Sequence, residues 1–219
     1  MGELAEQVAF AARLTARAGL VQGFGQVSVR APEGGFLITP SMPLLRVSAP
    51  DVLELDAAGR MHAGERALRP VEAALHAAVY AACRDVVAIC RTHSPAAVVW
   101  ASRREAPPLV HGLGGLSGVV AMHDEPQLIS SIEEGRDAAE ELGAADCLLL
   151  HANGAVCTGA DLPHAVVRAW YLEERARVAE HSTRSRPLTD SEAVLRARHY
   201  GAEYLLAWDW LCARFGDAS

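Results

Sequence analysis

Apolar residues recur at helical spacing over residues 3–18, through Leu4, Val8, Phe10, Ala11, Leu14 and Ala18. Gly19 follows, where a helix end favours glycine. The period then changes. Gly23 and Gly25 make a turn, and residues 26–30 alternate as a strand. Gly34-Gly35 reads as a hairpin turn into a strand at Phe36-Leu37-Ile38. Residues 52–56 alternate again and are closed by Ala58-Gly59. A helix is predicted over 70–83, with Pro70 in its first turn, where a missing N–H costs nothing. A short apolar strand follows at 86–90, then a helix over 94–102 with Pro95 just inside its start. Residues 106–118 are rich in proline and glycine and read as a loop. The pattern then gives a helix over 127–142 and a buried strand at 147–150. A turn at Asn153-Gly154 leads to a strand at 155–158, and a long helix covers 161–181. The polar segment 182–188 reads as a hinge. A last helix over 189–215 opens on Thr189-Asp190-Ser191-Glu192, a capping box.

No repeat and no linker divides the 219 residues, so one α/β domain over 1–219 is expected. Strand pairs among flanking helices predict a mixed or mostly antiparallel sheet covered by helices on both faces. Alanine is abundant and aromatics are 5%, which favours close helix packing through small side chains.

The formal charge of −7 argues against a nucleic-acid partner, which needs a clustered positive surface. The densest basic stretch, Arg168, Arg175, Arg177, Arg184 and Arg186, is interleaved with Glu173, Glu174 and Glu180 and reads as a solvated helix face. Five cysteines without a CxxC pair suggest reduced thiols rather than a disulfide or zinc framework. The acidic N-terminal segment is unlike a signal peptide, and no apolar run approaches the ~18 residues of a membrane span. A cytoplasmic protein with no membrane partner is expected.

Three clusters carry candidate chemistry. Arg91 and His93 lie two apart at a strand end and so share a face. A lone histidine there is also read as a hydrogen-bonded structural residue. His151 and Asn153 follow a second buried strand, where the alternative is a plain β-turn. Glu72 and His76 lie four apart on one helix face. A carboxylate in that alanine-rich setting either finds a partner or sits in solvent beside the helix dipole. Gly23-Phe24-Gly25 with Gln26 is a candidate anion nest.

The order of these pieces resembles the class II aldolase/adducin family. The blocks are Gly-x-Gly-Gln-Val-Ser-Val-Arg, Ile38-Thr39-Pro40-Ser41, Glu72 with His76 and Tyr80, Arg91-Thr92-His93-Ser94-Pro95, Asn153-Gly154, and Arg168 to Glu174. The resemblance runs from about residue 4 to residue 181. It implies a three-layer fold with a nine-stranded sheet, and a homotetramer with active sites between subunits. It also implies a divalent metal, zinc above all, on three histidines, with a glutamate as acid/base. The metal stabilises an enediolate, from which retro-aldol cleavage, decarboxylation, dehydration or isomerisation follows. By that resemblance Glu72 is the acid/base and His93 one ligand, while the other two ligand positions hold Arg91 and Asn153. Gln26, Ser28, Ser41, His111 and Asn153 fall to substrate contact. The phosphate grip is altered, since Ser41-Met42 and Pro70-Val71 stand where the family has Ser/Thr-Gly and Ser-Ser.

Two arrangements stay open. In one, His93, His151 and Glu72 rebuild a metal site. In the other, no metal binds, Arg91 supplies a fixed positive charge, and Glu72 or His93 moves protons. The expected function is a lyase acting on a small unphosphorylated carbonyl or carboxylate substrate. The alternatives are an adducin-like oligomeric binding protein and an iron-dependent oxygenase.

Overall fold

The computed structural model describes residues 2–61, 68–182 and 184–217; Met1 and Thr183 of the predicted N-terminal and hinge segments lie outside them. The elements run α1 (Gly2–Arg17), β1 (Gln26–Arg30), β2 (Phe36–Ile38), β3 (Leu53–Leu55), α2 (Ala73–Ala82) and β4 (Ala88–Thr92). They continue with α3 (Pro95–Arg103), β5 (Val120–His123), α4 (Ile132–Leu142), β6 (Cys147–Leu150) and β7 (Gly154–Gly159). Three helices close the chain, α5 (Leu162–His181), α6 (Asp190–Ala197) and α7 (Tyr200–Phe215).

The strands form one sheet in the order β3-β2-β1-β4-β7-β6-β5. Every pairing is antiparallel except β5 with β6. The mostly antiparallel sheet expected from the pattern is present. It has seven strands among the described residues rather than nine.

Alternation along the strands sorts two cores. Val27, Val29, Ala88, Cys90, Leu149, Ala155 and Cys157 face α1, α3, α5 and α7. Phe36, Ile38, Ile89, Leu148, Leu150 and Val156 face α2 and α4. The alanines serve this second layer. Helix α2 is buried at every position from Ala73 to Tyr80. Helix α4 crosses it so closely that a Cβ at Gly135 would sit 2.9 Å from the Ala74 carbonyl oxygen and 3.0 Å from Ala78 Cβ. Larger side chains at this crossing would push the helices apart.

Several expectations shift. Helix α2 starts at Ala73 rather than Pro70, with Glu72 at its N-cap. Helix α4 starts at Ile132, where Ser131 and Glu134 form a capping box. The loop over 106–118 contains a 3-10 turn at Gly112–Ser117, and the strand β5 after it had no clear alternating signal. The final helix is two, broken around Arg198-His199. Tyr200 donates to the Gly112 carbonyl (3.0 Å), Tyr204 to that of Leu116, and Arg196 grips Glu203 through two bonds of 2.7 Å. These contacts set α7 on its own axis.

The stretch read as a solvated face divides: Arg177, Arg184 and Arg186 are exposed, whereas Arg168, Arg175 and Glu173 are turned inward. Arg168 donates to the Thr158 carbonyl (2.7 Å) and pairs with Asp146; Arg175 donates to the carbonyls of Pro107 (2.8 Å) and Gly118 (3.1 Å). Glu173 is 3% exposed and accepts the first free N–H groups of α3, from Ala96 (3.1 Å) and Ala97 (3.0 Å). Charge spacing alone does not separate a solvated face from one that bonds to carbonyls and helix ends. Glu173→Ala should therefore cost about 1–3 kcal/mol, because it strands two buried donors. Urea unfolding checks this, and a loss under a few tenths of a kcal/mol would contradict it.

Candidate active site

The candidate residues gather around the end of β4. Its register places Arg91 opposite Gln26 on β1 and opposite Val156 on β7, so Arg91 lies mid-sheet. The strand runs two residues further than the apolar pattern predicts, to Thr92. Ile89 faces α2, and by alternation Arg91 faces it too. Arg91 is fully buried. Its Nε and Nη2 donate to Glu72 Oε1 at 3.2 and 3.1 Å, and its Nη1 donates to the Thr92 carbonyl at 2.6 Å. Arg91 does hold a carboxylate, and it is the protein's own.

Glycines make room for this arrangement. A Cβ on Gly154 would come within 2.1 Å of the Thr92 carbonyl oxygen and 3.1 Å of Arg91 Nη1. A Cβ on Gly25 would sit 2.9 Å from the Arg91 carbonyl oxygen. The Asn153-Gly154 turn was expected, but its residues are His151, Ala152 and Asn153, since Leu150 pairs with Gly154. Ala152 takes the left-handed conformation, at φ 54°.

Glu72 is 3% exposed, so it is the partnered carboxylate rather than the solvated one. It makes no N-cap bond to its own helix. Four residues on, His76 is fully buried. Its Nδ1 lies 2.7 Å from Ser28 Oγ, which lies 2.7 Å from the Tyr80 hydroxyl. Among the described residues, neither His76 Nε2 nor Gln26 Oε1, both buried, has a hydrogen-bond partner. Burial, helped by the nearby Arg91 charge, pushes the His76 pKa down to about 3.

That shift has a stability consequence. Unfolded, His76 takes a proton near pH 6.5; folded, it does so near 3. Between these values the unfolded chain holds the extra proton. Stability is therefore complete above about 6.5 and falls as pH drops toward 3, by about 1.4 kcal/mol per pH unit. The His76→Leu protein should lose that component of the slope. Equal slopes in urea titrations of the two proteins would refute it.

His93 follows the strand and stands half-buried beside the ion pair. Its Nδ1 lies 3.1 Å from the Phe24 carbonyl oxygen, and its Nε2 lies 3.3 Å from Asn153 Oδ1. Desolvation, then the charge of Arg91, lowers its pKa; Glu72, Phe24 and Asn153 oppose that shift. A neutral ring has one N–H, and a carbonyl only accepts. Both contacts are acceptors, so a neutral ring donates to one of them at a time; with the Asn153 amide turned over, Nδ1–H donates to Phe24 and the Nε2 lone pair accepts from the Asn153 N–H. Fixed in this tautomer, Nε2 is a base.

The other candidates are spread out. Ser28 is buried in the His76–Tyr80 chain. Gln26 is half-buried beside Arg91. Ser41 is exposed, and its backbone N–H donates to the Leu68 carbonyl (2.7 Å). His111 packs near Glu174 and Arg175 of α5; burial and Arg175 lower its pKa against Glu174. His151 is hydrogen-bonded through Nδ1 to the Ala101 carbonyl of α3 (3.2 Å), a helix of the opposite layer. The structure thus joins Glu72 to Arg91 and His93 to Asn153. Sequence reasoning missed the Phe24 and Thr92 carbonyls, because a backbone oxygen leaves no side-chain signal.

The donors fit a metal ion poorly. Arg91 brings five N–H groups and no lone pair. Glu72 Oε1 is already engaged, and His151 bonds elsewhere. Among the described residues, no group of three or more His, Cys, Asp and Glu side chains is placed to hold a metal. The same set offers no facial triad for iron.

Comparison with known proteins agrees with the architecture. L-fuculose 1-phosphate aldolase from Thermus thermophilus superposes with a TM-score of 0.69 at 26% identity, covering 84% of this chain and 97% of that one. An aldolase II superfamily protein from Pseudomonas syringae gives 0.83 at 19% identity, covering 97% and 92%. YgbL of Escherichia coli, described as a putative aldolase/epimerase/decarboxylase, gives 0.76 at 20% identity, covering 88% and 97%. No curated protein matches the sequence. The profile of the Class II Aldolase and Adducin N-terminal domain matches residues 6–179, most of the chain. On this sequence match and this fold, the chain belongs to the class II aldolase and adducin N-terminal domain family.

Proposed function

We propose that this chain is a lyase-type enzyme that moves a proton next to the carbonyl or carboxylate of a small unphosphorylated substrate. The observation that carries the reading is His93, held in one tautomer by Phe24 and facing Asn153 beside the Arg91–Glu72 pair. His93 Nε2 removes the proton, and the Asn153 amide donates to the developing enolate oxygen. The buried ion pair is the fixed charge distribution around them. Reprotonation of the enolate gives isomerisation, and loss of hydroxide from the neighbouring carbon gives dehydration. In cleavage and decarboxylation the enolate forms as the carbon–carbon bond breaks, with the base taking the hydroxyl proton in cleavage, and is then protonated.

The substrate class follows from charge. Arg91 is already neutralised by Glu72, so it offers nothing to a phosphate dianion. Met42, Pro70 and Val71 support this, standing where the resemblance puts a glycine and two serines of a phosphate grip.

Incubation with unphosphorylated hydroxy acids, keto acids and hydroxyaldehydes in deuterated water tests the proposal. Deuterium should enter one carbon next to the carbonyl or carboxylate. No exchange and no cleavage in any class would refute it. That outcome would favour the second reading, a non-catalytic oligomeric binding domain, which is supported by the engagement of Glu72 with Arg91.

A further inference from the structure

We infer that Arg91 is the resident cation of this site and keeps divalent metal ions out of it, so that the site operates without one. The inference rests on reading the end of β4 as the functional site, and not on which reaction occurs there.

Position comes first. The Arg91 guanidinium lies within the sheet and is fully buried. A charge there persists only when paired. Glu72 pairs it through two donors on one oxygen, and the Thr92 carbonyl takes a third. The charge is permanent, because guanidinium stays protonated at any pH a folded protein meets.

The surroundings are shaped to keep it. Gly25 and Gly154 leave the space that the Arg91 backbone and guanidinium use, and a Cβ at either would collide. A divalent ion would have to draw on Glu72, either displacing Arg91 from Oε1 or sharing the one carboxylate with it through Oε2. It would also come to rest beside a positive charge. Both costs are electrostatic, and low dielectric enlarges both. The donors left to it, His93 Nε2 and the Asn153 amide, fall short of the four that zinc prefers.

Metal retention without substrate separates this inference from the catalytic proposal. The full chain is equilibrated with micromolar Co2+ or Zn2+, desalted, and assayed for bound metal and for visible cobalt absorption. The wild type should retain none through His93. Arg91→His combined with Asn153→His removes the cation and supplies two imidazoles. It should gain about one equivalent per chain and a cobalt band, both lost when His93→Ala is added. Asn153→His alone leaves the ion pair intact and should gain nothing. Retention of about one equivalent by the wild type, lost in His93→Ala, would overturn the inference. So would metal binding by Asn153→His alone, or a folded double variant that gains none. If the double variant does not fold, the wild type and Asn153→His still decide it.

Discussion

Glu72→Ala should destabilise this protein by about 3–5 kcal/mol, because it leaves the Arg91 guanidinium buried and unpaired. For a chain of this size the melting temperature should fall by roughly 10 °C or more. The size of the effect comes from what remains, not from the bond removed. Arg91 has no exposed surface, and its only other protein acceptor among the described residues is the Thr92 carbonyl. Removing both charges together should behave differently. The double variant Glu72→Leu/Arg91→Met should recover most of the loss, since a buried pair often contributes little against apolar groups of similar volume. Thermal and urea unfolding of the two variants check this. If Glu72→Ala lost under 1 kcal/mol, the pair would not be a buried structural charge.

His93→Ala should lower kcat/KM roughly a hundred- to ten-thousand-fold, the usual contribution of a positioned general base, while stability changes little. Unlike Glu72, His93 is half-buried, and among the described residues its ring bonds only to Phe24 and Asn153. The pH profile gives an independent check. The imidazole must be neutral to accept a proton, and burial with Arg91 holds its pKa below 6.5. Activity should therefore be flat through neutral pH and fall only below pH 6.5, as the ring takes up a proton. A limb rising above pH 7 would point to another base. Retained deuterium exchange in His93→Ala would remove His93 from the mechanism.

The two predictions separate two roles that one strand end brings together. Residues 91 and 93 lie at one strand end but in different environments: the first faces the α2 layer and is sealed, and the second is partly open. Catalysis in this reading belongs to the open one. In the same reading the sealed one fixes the electrostatics and disfavours a bound metal.

Much of the fold was legible beforehand. Helical spacing located α1, α3 and α5 to within a residue or two. Two-residue alternation and glycine turns located β1, β2, β6 and β7. Periodicity is written locally, so it survives without a structure. Strand β5 did not announce itself, because its support is a parallel partner, β6, distant in sequence. The break between α6 and α7 at Arg198-His199 carries Gly201 just after it, and contacts to residues 112 and 116 hold the second helix in place.

The candidate site divides the same way. The sequence by itself determined the family and the residues Glu72, Arg91, His93 and Asn153, because ordered blocks survive where spacing is kept. It also showed that Arg91 donates no lone pair. It did not determine what Arg91 holds. The residues are nineteen apart in the chain, and only the packing of α2 on β4 made Glu72 the partner instead of a substrate. The same packing sealed Glu173 against α3 and sent His151 toward Ala101. Charge in a sequence gives the sign of a group; burial and neighbours, which are properties of the assembled layers, decide what that charge does.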